Sequence, residues 1–148
     1  MHGARPVRRR GQPRRFRRGP IPCSHDASPH CGPMAGLVSA IRHCPTDWCL
    51  VLAVDLPGLT DRELRRLADA RAADLDVVTL SKTGHPEPLA AVYHIRRASF
   101  WKGCLDEGIL SPIDVIRTLS WKPVLLGAAT SALDGINTPD DLTRVAGW

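Results

Sequence analysis

The 148-residue chain is one domain's worth of protein, long enough to bury a real core, and has no apolar run of membrane-spanning length. Its formal charge of +5 is unevenly divided: residues 1–20 carry eight arginines and no acid, while the other 12 basic residues face 15 acidic ones, leaving residues 21–148 at −3. The basic isoelectric point therefore belongs to the tail. Five cysteines are an odd number, and Cys44, Cys49 and Cys104 lie inside apolar or helical patterns. That suits buried reduced thiols in a cytoplasmic protein better than a disulfide framework. The N-terminus has the positive charge of a signal peptide but no apolar h-region, so secretion is not expected.

Residues 1–31 show no periodicity and are dense in Arg, Pro, Gly and His. Such a segment cannot bury enough apolar surface to offset its ordering entropy, so residues 1–25 are expected to form a disordered Arg/Pro-rich tail, with an α/β domain over 26–148. A polybasic arm can neutralise nucleic-acid phosphates, but Phe16 is its one aromatic for stacking and the domain behind it is acidic, which weighs against nucleic acid as a partner. Cys23, His25, His30 and Cys31 fit none of the usual paired zinc-ligand spacings.

From Gly32 the character changes. Leu37, Val38, Ala40, Ile41 and Cys44 recur at helical spacing, and Pro45 closes the segment. The glycines of Gly32-Pro33-Met34-Ala35-Gly36 flank the helix start; they read either as a turn that lets a ligand approach free N–H groups or as an ordinary glycine turn. Six apolar residues, Cys49 to Val54, then lead to Asp55 and Pro57. A continuous apolar run predicts a strand buried on both faces, and in parallel sheets ligands gather at the carboxyl ends of strands. An acid there can hold a divalent metal beside a phosphate; alternatively it opens a turn ahead of Pro57.

Thr60 predicts an N-cap for a helix over residues 61–71, with Leu64, Leu67 and Ala68 as its buried stripe. Strands are predicted over 75–80 and 88–94, separated by the turn chemistry of Ser81–Glu87. A helix over 97–107 ends at Gly108, and Ser111-Pro112 opens a short one through Leu119. Residues 123–126 and 133–136 read as weak strands. Thr138-Pro139-Asp140-Asp141 carries a hydroxyl cap, proline at the first helical position and acids in the first turn. Alternating strands and helices predict an α/β class with a mostly parallel sheet.

Three stretches taken together, Gly32–Gly36, Val54-Asp55-Leu56-Pro57 and Ile136-Asn137-Thr138-Pro139-Asp140-Asp141-Leu142, occur in the order seen in molybdenum cofactor guanylyltransferases, and Pro88–Tyr93 resembles that family's Pro-Leu-containing strand. The resemblance covers residues 26–148. It implies a Rossmann-like nucleotidyltransferase fold, GTP and molybdopterin as substrates, transfer of GMP with release of pyrophosphate, Mg²⁺ as cofactor, and a molybdoenzyme or cofactor-biosynthesis protein as partner. By motif position, Asp55 would be the catalytic metal ligand. Asp26, Gly32, Pro33 and Gly36 would contact the nucleotide, and Met34, Ala35, Pro88, Leu89 and Asn137 would line the pterin cleft. The family's N-terminal strands and Gly-rich triphosphate loop have no counterpart here: residues 1–31 contain only isolated glycines, and no lysine precedes Lys82. The implied consequence is that this chain alone is inactive. The alternatives are a non-catalytic remnant that binds a pterin or a partner protein, and a cytidylyltransferase relative.

Overall fold

A computed structural model of the chain describes residues 32–146. The expected tail, the Cys23–Cys31 group and Asp26 lie outside the described residues.

Among the described residues four strands, β1 (Trp48–Leu52), β2 (Val77–Ser81), β3 (Ala90–His94) and β4 (Trp121–Leu125), form one sheet in the order β1-β3-β2-β4. The helices are α1 (Gly32–His43), α2 (Asp61–Asp69), α3 (Ala98–Asp106), α4 (Pro112–Arg117) and α5 (Pro139–Ala146). The class is α/β, and β1, β2 and β4 run in one direction, with β2 and β4 paired in parallel. The exception is β3, antiparallel to both its neighbours. The reason is chain length: only residues 82–89 join β2 to β3, and a parallel crossover needs a dozen or more.

Local signals set most boundaries. Thr60 closes a capping box on α2, its hydroxyl accepting from the Arg62 N–H while Glu63 accepts from the Thr60 N–H. Ser111 caps α4 by accepting from the Asp114 N–H, with Pro112 at the first helical position. Thr138 and Asp141 cap α5 reciprocally: the Asp141 carboxylate accepts from the Thr138 hydroxyl at 2.9 Å, and that hydroxyl accepts from the Asp141 N–H at 3.1 Å. Residues 133–136 are not a strand. The Ile136 N–H is instead taken by the Asp55 carbonyl at 3.0 Å, which ties this loop to the end of β1.

The sheet separates two cores. On one face Met34, Leu37, Val38 and Ile41 of α1 pack with Cys49, Val77, Tyr93, Trp101 of α3 and Ile116 of α4. Tyr93 and Trp101 meet edge to face with ring centroids 5.4 Å apart. On the other face Leu67 of α2 packs on Val78, Leu80, Val92 and Val124. The strands buried on both faces are β2, every residue of which is buried, and β3, buried from Ala90 to Tyr93. The expectation that β1 is such a strand is corrected. It is an edge strand of the described sheet, it ends at Leu52, and Leu50, Leu52 and Val54 are exposed. Cys49 and Val51 meet the α1 side; on the other face of β1 Trp48 packs against the α2-side core, while among the described residues Leu50 and Leu52 stay exposed.

Asp76, immediately before β2, is 1% exposed and gripped from two sides. Arg96 Nε donates to its carboxylate at 2.8 Å, Arg97 Nε lies 3.0 Å away, and the Ser120 N–H donates at 3.3 Å. Arg96 also donates to the carbonyls of Ala73 and Leu75. This clasp holds the start of β2, the end of β3 and the start of β4 together.

Candidate functional site

The carboxyl ends of β1, β2 and β4 and the amino end of β3 share one end of the sheet, because β3 runs opposite to the others. The loops leaving that end are stitched to one another. The Ala53 N–H donates to the Leu89 carbonyl at 2.7 Å, the Leu126 N–H to the Ser81 carbonyl at 2.8 Å, and the Ile136 N–H to the Asp55 carbonyl. Four groups far apart in sequence, residues 53–58, 82, 88–89 and 126–137, thereby become neighbours.

Asp55 and Asn137 meet across Gly135. A Cβ placed on Gly135 would lie 3.2 Å from Asp55 Oδ2 and 3.5 Å from Asn137 Nδ2. A hydrogen at this position lets the carboxylate and the amide face the same small space. Among the described residues the Asp55 carboxylate has no hydrogen-bond or ion-pair partner, so its oxygens are available to a ligand. Beside it, Pro57, Gly58, Ser131, Asp134, Gly135 and Arg144 line a cavity of about 200 Å³. The Asp141 carboxyl is held below the usual aspartate range by the Thr138 hydroxyl and the Asn137 and Thr138 N–H groups, so it stays an acceptor that anchors the loop carrying Asn137.

Gly58 is required by close backbone approach. An added Cβ would come within 2.4 Å of the Ser131 carbonyl oxygen, which is main chain and cannot rotate away. Gly58→Ala is expected to push the 131–137 loop off Asp55 and to lower stability by about 1–3 kcal/mol, read as a reduced urea midpoint at unchanged m-value. An unchanged midpoint would mean that the loop yields freely.

The other sequence-derived site residues are placed as follows. Pro88 is buried and Leu89 half-buried; both border this end of the sheet, where the Pro88 carbonyl accepts from the Tyr93 hydroxyl at 2.7 Å. Gly32–Gly36 is not a turn ahead of a helix but the first turn of α1 itself, with Gly32 at φ +56°. The connection from α1 to β1 is only residues 44–47, so the amino end of α1 returns to the sheet end that carries Asp55. Gly32 and Pro33 are exposed there, and Gly36 is partly covered. The side chains of Met34 and Ala35 point into the core, because they share the apolar face of α1 with Leu37, Val38 and Ile41. They therefore pack rather than line a cleft.

Sequence reasoning missed Lys82. It follows β2 directly and pairs with Asp134, which lines the cavity. Its signal in the sequence was weak: a cation just past a largely apolar strand, a pattern like that of Asp55 after β1. Among the described residues no three His, Cys, Asp or Glu side chains converge as a metal cage.

The MobA-like NTP transferase domain family matches residues 5–118. Among curated relatives, the probable molybdenum cofactor guanylyltransferase of Deinococcus radiodurans is 30% identical over 123 residues, covering 82% of this chain and 63% of its own length. The probable molybdenum cofactor guanylyltransferase of Bacillus velezensis is 30% identical, covering 77% and 58%. The molybdopterin-guanine dinucleotide biosynthesis protein A of Archaeoglobus fulgidus superposes with a TM-score of 0.62 at 26% identity, over 76% of this chain and 60% of that one. An Aquifex aeolicus protein at 18% identity and TM-score 0.61 supports the same fold. The chain spans less than two thirds of the length of these relatives. With the family match extending over well more than half of its residues, and the same fold in the solved relatives, the chain belongs to the MobA-like NTP transferase domain family.

Proposed function

We propose that this domain forms the metal- and pterin-facing part of a cytoplasmic nucleotidyltransferase that joins GMP from GTP to molybdopterin with release of pyrophosphate. The observation that carries the reading is the meeting of Asp55 and Asn137 at Gly135, beside an open cavity at the carboxyl ends of the strands. The names of the relatives, guanylyltransferases of the molybdenum cofactor and a molybdopterin-guanine dinucleotide biosynthesis protein, support this choice of substrates.

The donor set fits Mg²⁺ in one mode only. Mg²⁺ is commonly held by one or two carboxylates, with substrate phosphate oxygens and waters completing its shell. Asp55 offers one unpartnered carboxylate, which suits that mode and not an all-protein cage. When bound, the ion supplies charge neutralisation at the α-phosphate. Asn137 contributes an amide that can orient an acceptor or donor on the substrate beside Asp55. Lys82, drawn off Asp134, offers its ammonium to a phosphate, and the Gly135 backbone leaves room for the substrate to approach. These groups position and stabilise charge; none needs to act as a nucleophile.

Residues 1–31 lack the Gly-Gly and lysine with which the family cradles a triphosphate. Flexible arginines supply charge without geometry, whereas a triphosphate needs a concave set of N–H groups and a placed cation. Alone, the chain is therefore expected to bind a non-hydrolysable GTP analogue weakly and to release no pyrophosphate with molybdopterin and Mg²⁺. Fusing the Gly-rich N-terminal segment of a relative in place of residues 1–25 is expected to restore release with GTP. A fused, folded chain that binds GTP yet never releases pyrophosphate would overturn the reading, and release with CTP in preference to GTP would replace the guanine assignment.

A further inference from the structure

The turn from α1 into β1 carries two thiols that the site does not use. Cys44 follows the last residue of α1, Cys49 is the second residue of β1, and only Pro45, Thr46, Asp47 and Trp48 separate them. Cys44 packs against the core cluster that contains Cys49. Its Sγ reaches the Trp48 carbonyl at 3.6 Å, that is, the peptide group leading directly into Cys49, and lies 3.4 Å from Thr46 Oγ1. Both cysteines are free thiols. Cys44 is partly exposed, whereas Cys49 is 7% exposed.

We propose that Cys44 and Cys49 form a peroxide-sensitive thiol pair, with Cys44 as the attacking sulfur and Cys49 as the resolving one, closing to an intramolecular disulfide across the α1–β1 connection. The division of labour follows from surroundings. Burial opposes ionisation of Cys44, but the Thr46 hydroxyl, the Thr46 backbone N–H and the Cys49 thiol outweigh it and hold its pKa below the usual thiol value. Burial, reinforced by the neighbouring Cys44, pushes Cys49 up to about 12, so it remains protonated. The thiolate is the nucleophile, and among the three described cysteines only Cys44 combines thiolate character with exposure. Cys104, buried in α3 with its pKa raised by burial and by Glu107, has neither.

The chemistry balances with hydrogen peroxide as oxidant. The Cys44 thiolate attacks one peroxide oxygen, the O–O bond breaks, and hydroxide leaves, giving Cys44 sulfenic acid. The Cys49 sulfur then displaces the sulfenic oxygen; the S–S bond forms, the S–O bond breaks, and the Cys49 proton departs with that oxygen as water. Two thiols lose two electrons, and one peroxide becomes two waters. A thiol reductant reverses it by exchange.

Trypsin separates the relevant cysteines. Cleavage after Arg42 and Arg62 puts Cys44 and Cys49 together on residues 43–62, Cys104 on residues 103–117, and Cys23 with Cys31 on residues 19–42. The intact chain, treated with graded hydrogen peroxide, alkylated and digested, is expected to yield peptide 43–62 short of two hydrogens and unalkylated while peptide 103–117 is still fully alkylated. Dithiothreitol should restore both thiols. In Cys49→Ser, dimedone should label Cys44, because the sulfenic acid has no resolving thiol. In Cys44→Ser, peptide 43–62 should stay reduced at the same dose. Three outcomes would overturn the proposal: Cys104 oxidised before Cys44, Cys44 captured by Cys23 or Cys31 in a cross-link between peptides, or no dimedone adduct in Cys49→Ser under conditions that oxidise the native chain.

Discussion

Replacing Asp55 by asparagine is expected to remove metal-dependent guanylyl transfer, by on the order of 10²–10³-fold, from the chain fused to a relative's Gly-rich segment. The amide keeps an oxygen of nearly the same shape but loses the negative charge. That charge is what Asp55 would offer a metal, and among the described residues no three His, Cys, Asp or Glu side chains converge as a cage to replace it. Stability should hardly change. The Asp55 side chain makes no hydrogen bond or ion pair among the described residues, and the tie between this turn and Ile136 runs through the Asp55 backbone carbonyl, which the substitution leaves alone. The pairing of the two readouts is what discriminates. Binding of Mn²⁺ in the presence of a GTP analogue, followed by its paramagnetic signal, should weaken together with turnover, while the melting temperature stays within a degree or so of the parent. Full turnover in Asp55→Asn would remove the metal role. A large drop in melting temperature would show that the residue opens a structural turn instead.

Asp76→Ala carries the largest expected loss of stability, about 2–3 kcal/mol. Breaking a fully buried ion pair by deleting one partner typically costs about 3–5 kcal/mol, because the remaining charge is stranded. Here Arg96 and Arg97 are 38% and 46% exposed, so water rescues part of each guanidinium and the loss is smaller. What remains is the loss of two charge-assisted hydrogen bonds and an unmet Ser120 N–H at the entry to β4. The same clasp gives a pH signature. Burial opposes ionisation of Asp76, but hydrogen bonds from Arg97, Arg96 and the Ser120 N–H, with the Arg97 charge, prevail and hold its carboxyl below the ordinary aspartate value. A carboxylate whose folded pKa is depressed stabilises the fold fully above the unfolded value of about 3.9, and that contribution disappears as pH falls through the folded value. Urea midpoints of the parent and of Asp76→Asn should therefore differ most at neutral pH and converge below about pH 4. Parallel curves down to pH 2 would show that Asp76 contributes packing and not charge.

Much of the architecture was readable locally because its causes are local. Thr60 with Glu63, Ser111 with Pro112, and Thr138 with Asp141 each satisfy N–H groups within one turn, so their helices begin where the residue types say. The apolar face of α1 was visible in Leu37, Val38 and Ile41 at helical spacing. The same periodicity assigns Met34 and Ala35 to the core, and their place in a glycine-containing motif hid this. The family itself was legible because short motifs recurred in a fixed order.

What the sequence by itself determined, then, is most of the elements (though not the absence of a strand at 133–136), the caps of α2, α4 and α5, and the candidate acid just past β1. Each of these rests on a residue's own conformational preference or on partners three or four positions away. Only the tertiary structure decided which strand is central. β1 and β2 carry similar apolar runs, yet β2 is sealed between β3 and β4 while β1 lies at the edge with Leu50 and Val54 in the open. A hydrophobic run states that a strand can be buried; strand order, set by long-range pairing, states whether it is. The candidate site follows the same division. Asp55 was visible as an acid after an apolar run, but the approach of Gly135, the meeting with Asn137 and the placement of Lys82 against Asp134 depend on loops brought together from β1, β2 and β4. Those contacts span 52 to 82 residues of sequence (Lys82 to Asp134, Asp55 to Asn137), a separation across which no local preference acts.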